Sequence, residues 1–326
     1  MSSGEDSLIS RYFKPLATDP GAFGLMDDAA VLKAHGDDIV VNTDAIVEGV
    51  HFLPEDPPDT IARKALRVNL SDLAAKGAAP AGFLLTLALR EQNHDWLAAF
   101  ARALGEDALL FNCPLLGGDT VSTPGPLMIS ITAFGRVPPG KMVRRSGAMP
   151  GDIVMVTGTI GDAALGLDML KGGAVKAALA HDMAAAAGLI ARYRIPQPRS
   201  ALAQAVRDHA RAAMDVSDGL AGDLTKLLAT SGVAATISIA TIPLSTPAAL
   251  LLERGTVTRE VLLAGGDDYE IICTIPPSRF AAFTGDAQRA GVPVTAIGVV
   301  AAGAGARFVD IEGHDLALSR LSYSHF

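Results

Sequence analysis

Apolar positions along this chain switch between short continuous runs, which suit buried strands, and stripes at helical spacing. Residues 39–41 read as a short strand entering Asn42-Thr43-Asp44, and 47–53 as a second extended segment, so a local hairpin over 39–53 is predicted. Over 60–76, Ile61, Ala65, Val68 and Ala75 recur at helical intervals beside Leu66, Leu70 and Leu73, and Gly77 followed by Pro80 supplies the stop. Residues 83–89 are predicted as a buried strand. A helix over 95–111 turns Trp96, Phe100 and Leu104 inward, Leu115-Leu116 ends a strand, and 127–137 forms a long one.

Residues 138–152 hold three prolines and three glycines among basic residues, which marks a boundary between an N-terminal domain (1–138) and a C-terminal domain (139–326). Strands follow at 153–156, 213–216, 234–239, 269–275 and 292–300. Helices are expected at 162–170, 183–193, 201–211, 220–230 and 278–290. This alternation predicts layered α/β domains with mixed sheets flanked by helices.

Length supports the division, since 326 residues exceed the roughly 250–300 at which one hydrophobic core stops growing. Hydrophobic residues make up 49% and charged residues 19%, as in a globular enzyme. A net charge of −8 and a sparse aromatic set (11 Phe, 4 Tyr, 1 Trp) argue against nucleic acid as a partner. Cys113 and Cys273 lie far apart beside apolar neighbours, implying buried thiols in a reducing cytoplasm. With no signal-peptide pattern and no run of about 18 apolar residues, neither export nor a membrane is expected.

The chemistry concentrates in six aspartate-bearing segments: Met26-Asp27-Asp28, Asn42-Thr43-Asp44, Asn69-Leu70-Ser71-Asp72, Gly117-Gly118-Asp119-Thr120, Asp215-Val216-Ser217-Asp218-Gly219 and Gly265-Gly266-Asp267-Asp268. Asp is an ordinary turn and cap residue, so any one segment admits a structural reading. If the set converges, repulsion of roughly 4 kcal/mol for two charges about 4 Å apart calls for cations between them. Oxygen-only donors suit Mg²⁺ better than Zn²⁺, because the seven His show no zinc-type spacing beside a Cys. The Gly-Gly pairs would let backbone amides approach phosphate oxygens, and they also serve as plain turns. Gly135-Arg136-Val137-Pro138-Pro139-Gly140-Lys141-Met142 mimics a P-loop, but Pro138 and Pro139 lack the amides that would cradle phosphate and Met142 replaces the hydroxyl that would hold Mg²⁺.

The order and number of these segments give the chain a close resemblance to the thiamine-monophosphate kinase family, in the superfamily of aminoimidazole-ribotide synthetase and selenophosphate synthetase. Further matches are Gly49-Val50-His51-Phe52, Lys64-Ala65-Leu66, Arg145-Ser146-Gly147-Ala148, Pro150-Gly151-Asp152, Val156-Thr157-Gly158, Tyr269-Glu270 and Tyr323-Ser324-His325-Phe326. The resemblance implies the two-domain aminoimidazole-ribotide synthetase-like fold. The N-terminal domain would bind metal and ATP and form a homodimer, and the C-terminal domain would complete the phosphate and substrate site. The implied reaction is transfer from ATP to thiamine monophosphate, giving thiamine diphosphate by direct in-line transfer. Asp28, Asn42, Thr43, Asp44, Asp72, Asp119, Asp215 and Asp218 would surround several Mg²⁺ ions, with Asp44, Asp72 and Asp119 central to catalysis. Gly118, Asp119, Arg145 and Ser217 would contact ATP; His51, Asp267 and Tyr323 would hold the thiamine phosphate. Met26 stands where the family usually has Gly, and Asp267 where it often has Glu.

Rival readings within the superfamily want cysteines that this chain lacks. A selenophosphate synthetase would carry a reactive Cys or selenocysteine near its start, where the first Cys here is Cys113, and a hydrogenase-maturation relative would end in Cys rather than Phe326. A non-catalytic Mg²⁺ or nucleotide-binding protein is the alternative from another class.

Overall fold

Polar residues do not interrupt the first strand. β1 (Asp38–Val47) runs through Asn42-Thr43-Asp44, and its partner is not the following segment but β4 (Met128–Val137), antiparallel from Asp38↔Val137 to Val47↔Met128. The expected hairpin over 39–53 is therefore corrected. A ladder along the full strand outweighs the local turn, and 48–53 forms only a tight turn with a Glu48–Phe52 bridge. β2 (Ala79–Leu89) pairs antiparallel with β4 and parallel with β3 (Leu115–Ser122), giving the order β1-β4-β2-β3.

The structure, a computed structural model, describes residues 8–25, 32–316 and 318–322. They fall into two units: the chain up to Leu73 with Ala78–Lys141, and Ala74–Gly77 with the chain from Met142 onward. In the first, α1 (Pro58–Ala75) and α2 (His94–Leu110) contribute fully buried Leu66, Leu70, Leu73, Leu97, Phe100 and Leu104 to the core. Buried Asp107 of α2 ties the helices together, accepting from Arg67 Nε at 2.6 Å and Arg63 Nη1 at 2.5 Å. Asn93 caps α2 by accepting from the Trp96 amide.

The second unit is built on a six-stranded sheet in the order β10-β7-β9-β5-β8-β6. The strands are β5 (Ile153–Thr157), β6 (Ala212–Asp215), β7 (Ala234–Ser238), β8 (Ile271–Ile275), β9 (Val294–Ala301) and β10 (Gly305–Val309). All pairs are antiparallel except β10 with β7. Both faces are covered, so β5 alternates its apolar residues between two cores. Val154 and Val156 join Leu224 and Leu228 of α7 (Leu220–Ser231), while Met155 joins Val206 of α6 (Ala203–His209) and Phe283 of α10 (Phe280–Arg289). α3 (Asp162–Leu170), α4 (Ala174–Ala178), α5 (Met183–Arg194), α8 (Thr246–Glu253) and α9 (Arg259–Ala264) pack around a third core containing Leu165, Leu189, Leu251 and Leu262. The mixed sheets flanked by helices are the two-domain α/β fold expected. Sequence patterning missed α4, α8, α9 and β10, which are short or irregular in period. Among the described residues no helix is long and apolar enough to cross a membrane.

Candidate active site

In the first unit, Asn42 of β1 meets the C-terminal half of α1. Its Nδ2 donates to the Asn69 carbonyl at 3.2 Å, to Asn69 Oδ1 at 3.1 Å and to Asp72 Oδ2 at 3.1 Å. Asn69 Oδ1 also accepts from the Asp44 amide at 3.1 Å. The structure thus brings Asn42, Asp44 and Asp72 together around Asn69, which is fully buried and anchored by donating to the Ala65 carbonyl at 3.0 Å. Sequence reasoning gave Asn69 no role. Its signal was present, since an amide at a helix position flanked by buried Leu66, Leu70 and Leu73 needs polar partners. The Thr43 hydroxyl serves the sheet, donating to the Ile131 carbonyl and accepting from Thr132. His51 Nδ1 accepts from the Val47 amide at 3.0 Å, and buried Lys64 donates to the His51 carbonyl at 2.7 Å.

Gly117-Gly118-Asp119-Thr120 lies inside β3 rather than beyond its end, and β3 occupies the sheet edge opposite β1. Three strand spacings of about 4.8 Å put Asp119 about 14 Å from β1. Gly118 is required sterically: a Cβ there would stand 1.9 Å from the Leu85 carbonyl oxygen. Asp28 and Tyr323 lie outside the described residues.

The second unit gathers the two remaining segments. Asp215 ends β6, and the Ser217 and Asp218 amides both donate to Asp223 Oδ2, at 3.0 and 2.9 Å. Burial pushes the Asp223 carboxyl up in pKa, opposed by Lys226, whose ammonium bridges Asp223 at 3.0 Å and Asp218 at 2.5 Å. The Gly265–Tyr269 loop lies alongside, with the Asp267 amide on the Ser217 carbonyl and the Tyr269 amide on the Val216 carbonyl, both at 2.8 Å. Asp267 and Tyr269 adopt left-handed backbone, φ +69° and +50°, at a cost of about 1–3 kcal/mol each. Arg145 exposes its side chain while its carbonyl accepts from Ser231 Oγ at 3.2 Å.

Behind this loop is a buried charge network that the sequence did not reveal. Glu270 accepts from Thr157 Oγ1 at 2.6 Å, Arg199 Nε at 2.6 Å and Arg192 at 2.8 Å. Asp268 turns both carboxylate oxygens onto the Gly161 amide, at 3.0 and 2.9 Å. Burial raises the Asp268 carboxyl well above its ordinary 3.8, against the pull of the Gly161 amide and Arg192. A native-state pKa above the unfolded value means that the folded chain binds the proton more tightly. The Asp268 contribution is therefore most favourable below about pH 3.8 and is lost as pH rises toward the folded value. Urea unfolding of wild type and Asp268→Asn between pH 4 and 8 should show wild type losing stability relative to the variant as pH rises; parallel curves would refute this.

Asn42 Oδ1 is buried and, among the described residues, no group donates to it. An orphaned acceptor beside Asp72 suits a hard cation, and the oxygen-only set of Asn42, Asp44 and Asp72 fits Mg²⁺. Among the described residues, the trio of ligand atoms lying within 4.8 Å of one another is instead Asp310, Glu312 and His314, a surface turn whose Asp310 accepts from the Glu312 and His314 amides.

Residues 26–137 match the AIR synthase related protein N-terminal domain, and 149–311 the corresponding C-terminal domain. The thiamine-monophosphate kinase of Caulobacter vibrioides is 44% identical over 324 residues, 97% of this chain and 89% of its own length. A crystal structure of thiamine-monophosphate kinase from Stenotrophomonas maltophilia is 39% identical with a TM-score of 0.85, covering 97% of this chain and 99% of that one. A structure of AaThiL complexed with AMPPCP and TMP is 29% identical with a TM-score of 0.78, over 94% and 97% of the two chains. With both domain matches in order and identity sustained along nearly the whole length, this chain belongs to the thiamine-monophosphate kinase family, within the AIR-synthase-related superfamily.

Proposed function

We propose that this chain transfers the terminal phosphoryl group of ATP to the phosphate of thiamine monophosphate, releasing thiamine diphosphate and ADP. The observation that carries the reading is the identity to a thiamine-monophosphate kinase along 97% of the chain. The aspartate cluster around Asn42 and Asn69 agrees with it. The acceptor is a phosphate oxygen, already anionic near neutral pH, so no side-chain base is needed. What the chain must supply is alignment of the two phosphates and stabilisation of charge spread over the transferring group.

Asn42, Asp44 and Asp72, with Thr43, Asp119 and Asp28, are the residues of the first unit proposed to hold several Mg²⁺ ions, and Asp215 and Asp218 those of the second. When bound there, Mg²⁺ supplies positive charge against the phosphate oxygens. Gly118 and Asp119 in the first unit, and Ser217 and Arg145 in the second, are the residues proposed to contact the ATP phosphates. Asp267 sets its carboxylate against the cationic thiazolium, and His51 and Tyr323 complete the thiamine phosphate contacts. Phosphorus NMR of the purified chain with ATP, Mg²⁺ and thiamine monophosphate tests this: new diphosphate resonances should grow as ATP is lost. ADP release that ignores thiamine monophosphate, or no turnover at all, would reject it.

The protein acts as a cytoplasmic homodimer joined through its N-terminal domain. Supporting this, Val41, Leu84 and Val121, on three strands of the first sheet, are 56%, 36% and 42% exposed. Leu84→Lys should shift the mass measured by light scattering from dimer to monomer; an unchanged mass would place the contact elsewhere.

A further inference from the structure

Loop 265–269 is fixed more firmly than a connection between a helix and a strand requires. Asp268 anchors its carboxylate on the Gly161 amide, Arg192 Nη2 donates to the Asp268 carbonyl at 3.0 Å, and flanking amides bond the Val216 and Ser217 carbonyls. Gly266 fits because a Cβ there would come within 2.5 Å of the Ser217 carbonyl oxygen. The buried Asp268 is bracketed by two left-handed residues, Asp267 and Tyr269. That contour lets the Tyr269 hydroxyl reach back two residues and donate to Asp267 Oδ1 at 3.1 Å. Tyr269 is only 8% exposed, so its ring is held, whereas Asp267 is half-buried.

Resting on the reading of Asp267 as the counter-charge to the thiazolium, we propose that Tyr269 is the positioning residue of that subsite. Its hydroxyl holds the Asp267 carboxylate in one rotamer, aimed to meet a cationic ring, and so strengthens the preference for a charged ring over a neutral one of the same shape. Asp267 has few torsions to adjust, so its direction follows from the backbone and from the hydroxyl that grips it.

The experiment compares wild type, Tyr269→Phe, Asp267→Asn and the double variant, with thermal unfolding as the control for fold. Calorimetry measures the affinity of each for thiamine monophosphate and for a phosphorylated analogue whose thiazolium is replaced by neutral thiophene. Tyr269→Phe should weaken thiamine monophosphate about tenfold, the scale of one hydrogen bond to a charged group, and leave the neutral analogue unchanged. Its KM for thiamine monophosphate should rise by the same factor while the KM for ATP stays put. Asp267→Asn should remove at least as much discrimination, and the double variant no more than Asp267→Asn alone. Equal loss for both ligands in Tyr269→Phe would reduce Tyr269 to packing and overturn the proposal. Loss in Asp267→Asn with none in Tyr269→Phe would also overturn it while sparing the substrate reading; no change in Asp267→Asn would remove both.

Discussion

Asp72→Asn should lower turnover about a thousandfold, corresponding to about 4 kcal/mol of lost transition-state stabilisation. The change keeps side-chain shape and an acceptor for Asn42 Nδ2, now 3.1 Å from Asp72 Oδ2, so the hydrogen bonds that join β1 to α1 survive. What it removes is one negative charge beside the orphaned Asn42 Oδ1. Stability should change by about 1 kcal/mol or less. A second readout separates metal binding from catalysis: Mg²⁺ should raise the melting temperature of wild type and raise that of the variant less. Asp44→Asn should behave alike, its backbone amide still bonded to Asn69 Oδ1. Full turnover in either purified variant would contradict the metal role.

Glu270→Gln should have the largest effect on folding. Glu270 is fully buried, and its carboxylate answers two arginines whose side chains are only 17% and 20% exposed. Neutralising it strands both guanidinium groups without their counter-charge, which costs about 3–5 kcal/mol when a buried pair loses one partner. Thr157→Val removes one hydroxyl donor from the same carboxylate and the acceptor of the Ile271 amide, and should cost about 2 kcal/mol. Urea midpoints at constant slope measure both, and a Glu270→Gln loss no larger than that of Thr157→Val would show that solvent or another acidic group compensates the arginines.

The fold was readable wherever the apolar period was clean. The stripe of Ile61, Leu66, Leu70 and Leu73 gave α1 within two residues, and the span 162–170 coincides with α3. Reading failed where partners are remote. Nothing near Asn42 announces that β1 continues to Val47, because its ladder comes from β4, more than 80 residues on. Tyr269 looks like a strand residue by propensity, yet β8 begins at Ile271 because left-handed backbone at Tyr269 breaks the extended run. At the candidate site, the aspartates stood out by motif, but the groups that orient them did not. Asn69, Asp223 and Arg192 act through contacts 5 to 76 residues away, and no local period encodes those.

Four residues at the end of α1 have an outsized bearing on how this polymer can be divided. Ala74 and Ala75 pack with Met155, Ala213 and Ile271, Lys76 donates to the Ala213 carbonyl at 2.7 Å, and Gly77 admits Arg207 where a Cβ would come within 2.6 Å of it. A recombinant fragment cut at Met142 would therefore begin life with a notch in its interior and a bare edge at β6. Protein engineers wishing to swap or express the C-terminal half alone would have to graft that tetrapeptide back, which makes the chain, for practical purposes, indivisible at its most tempting linker.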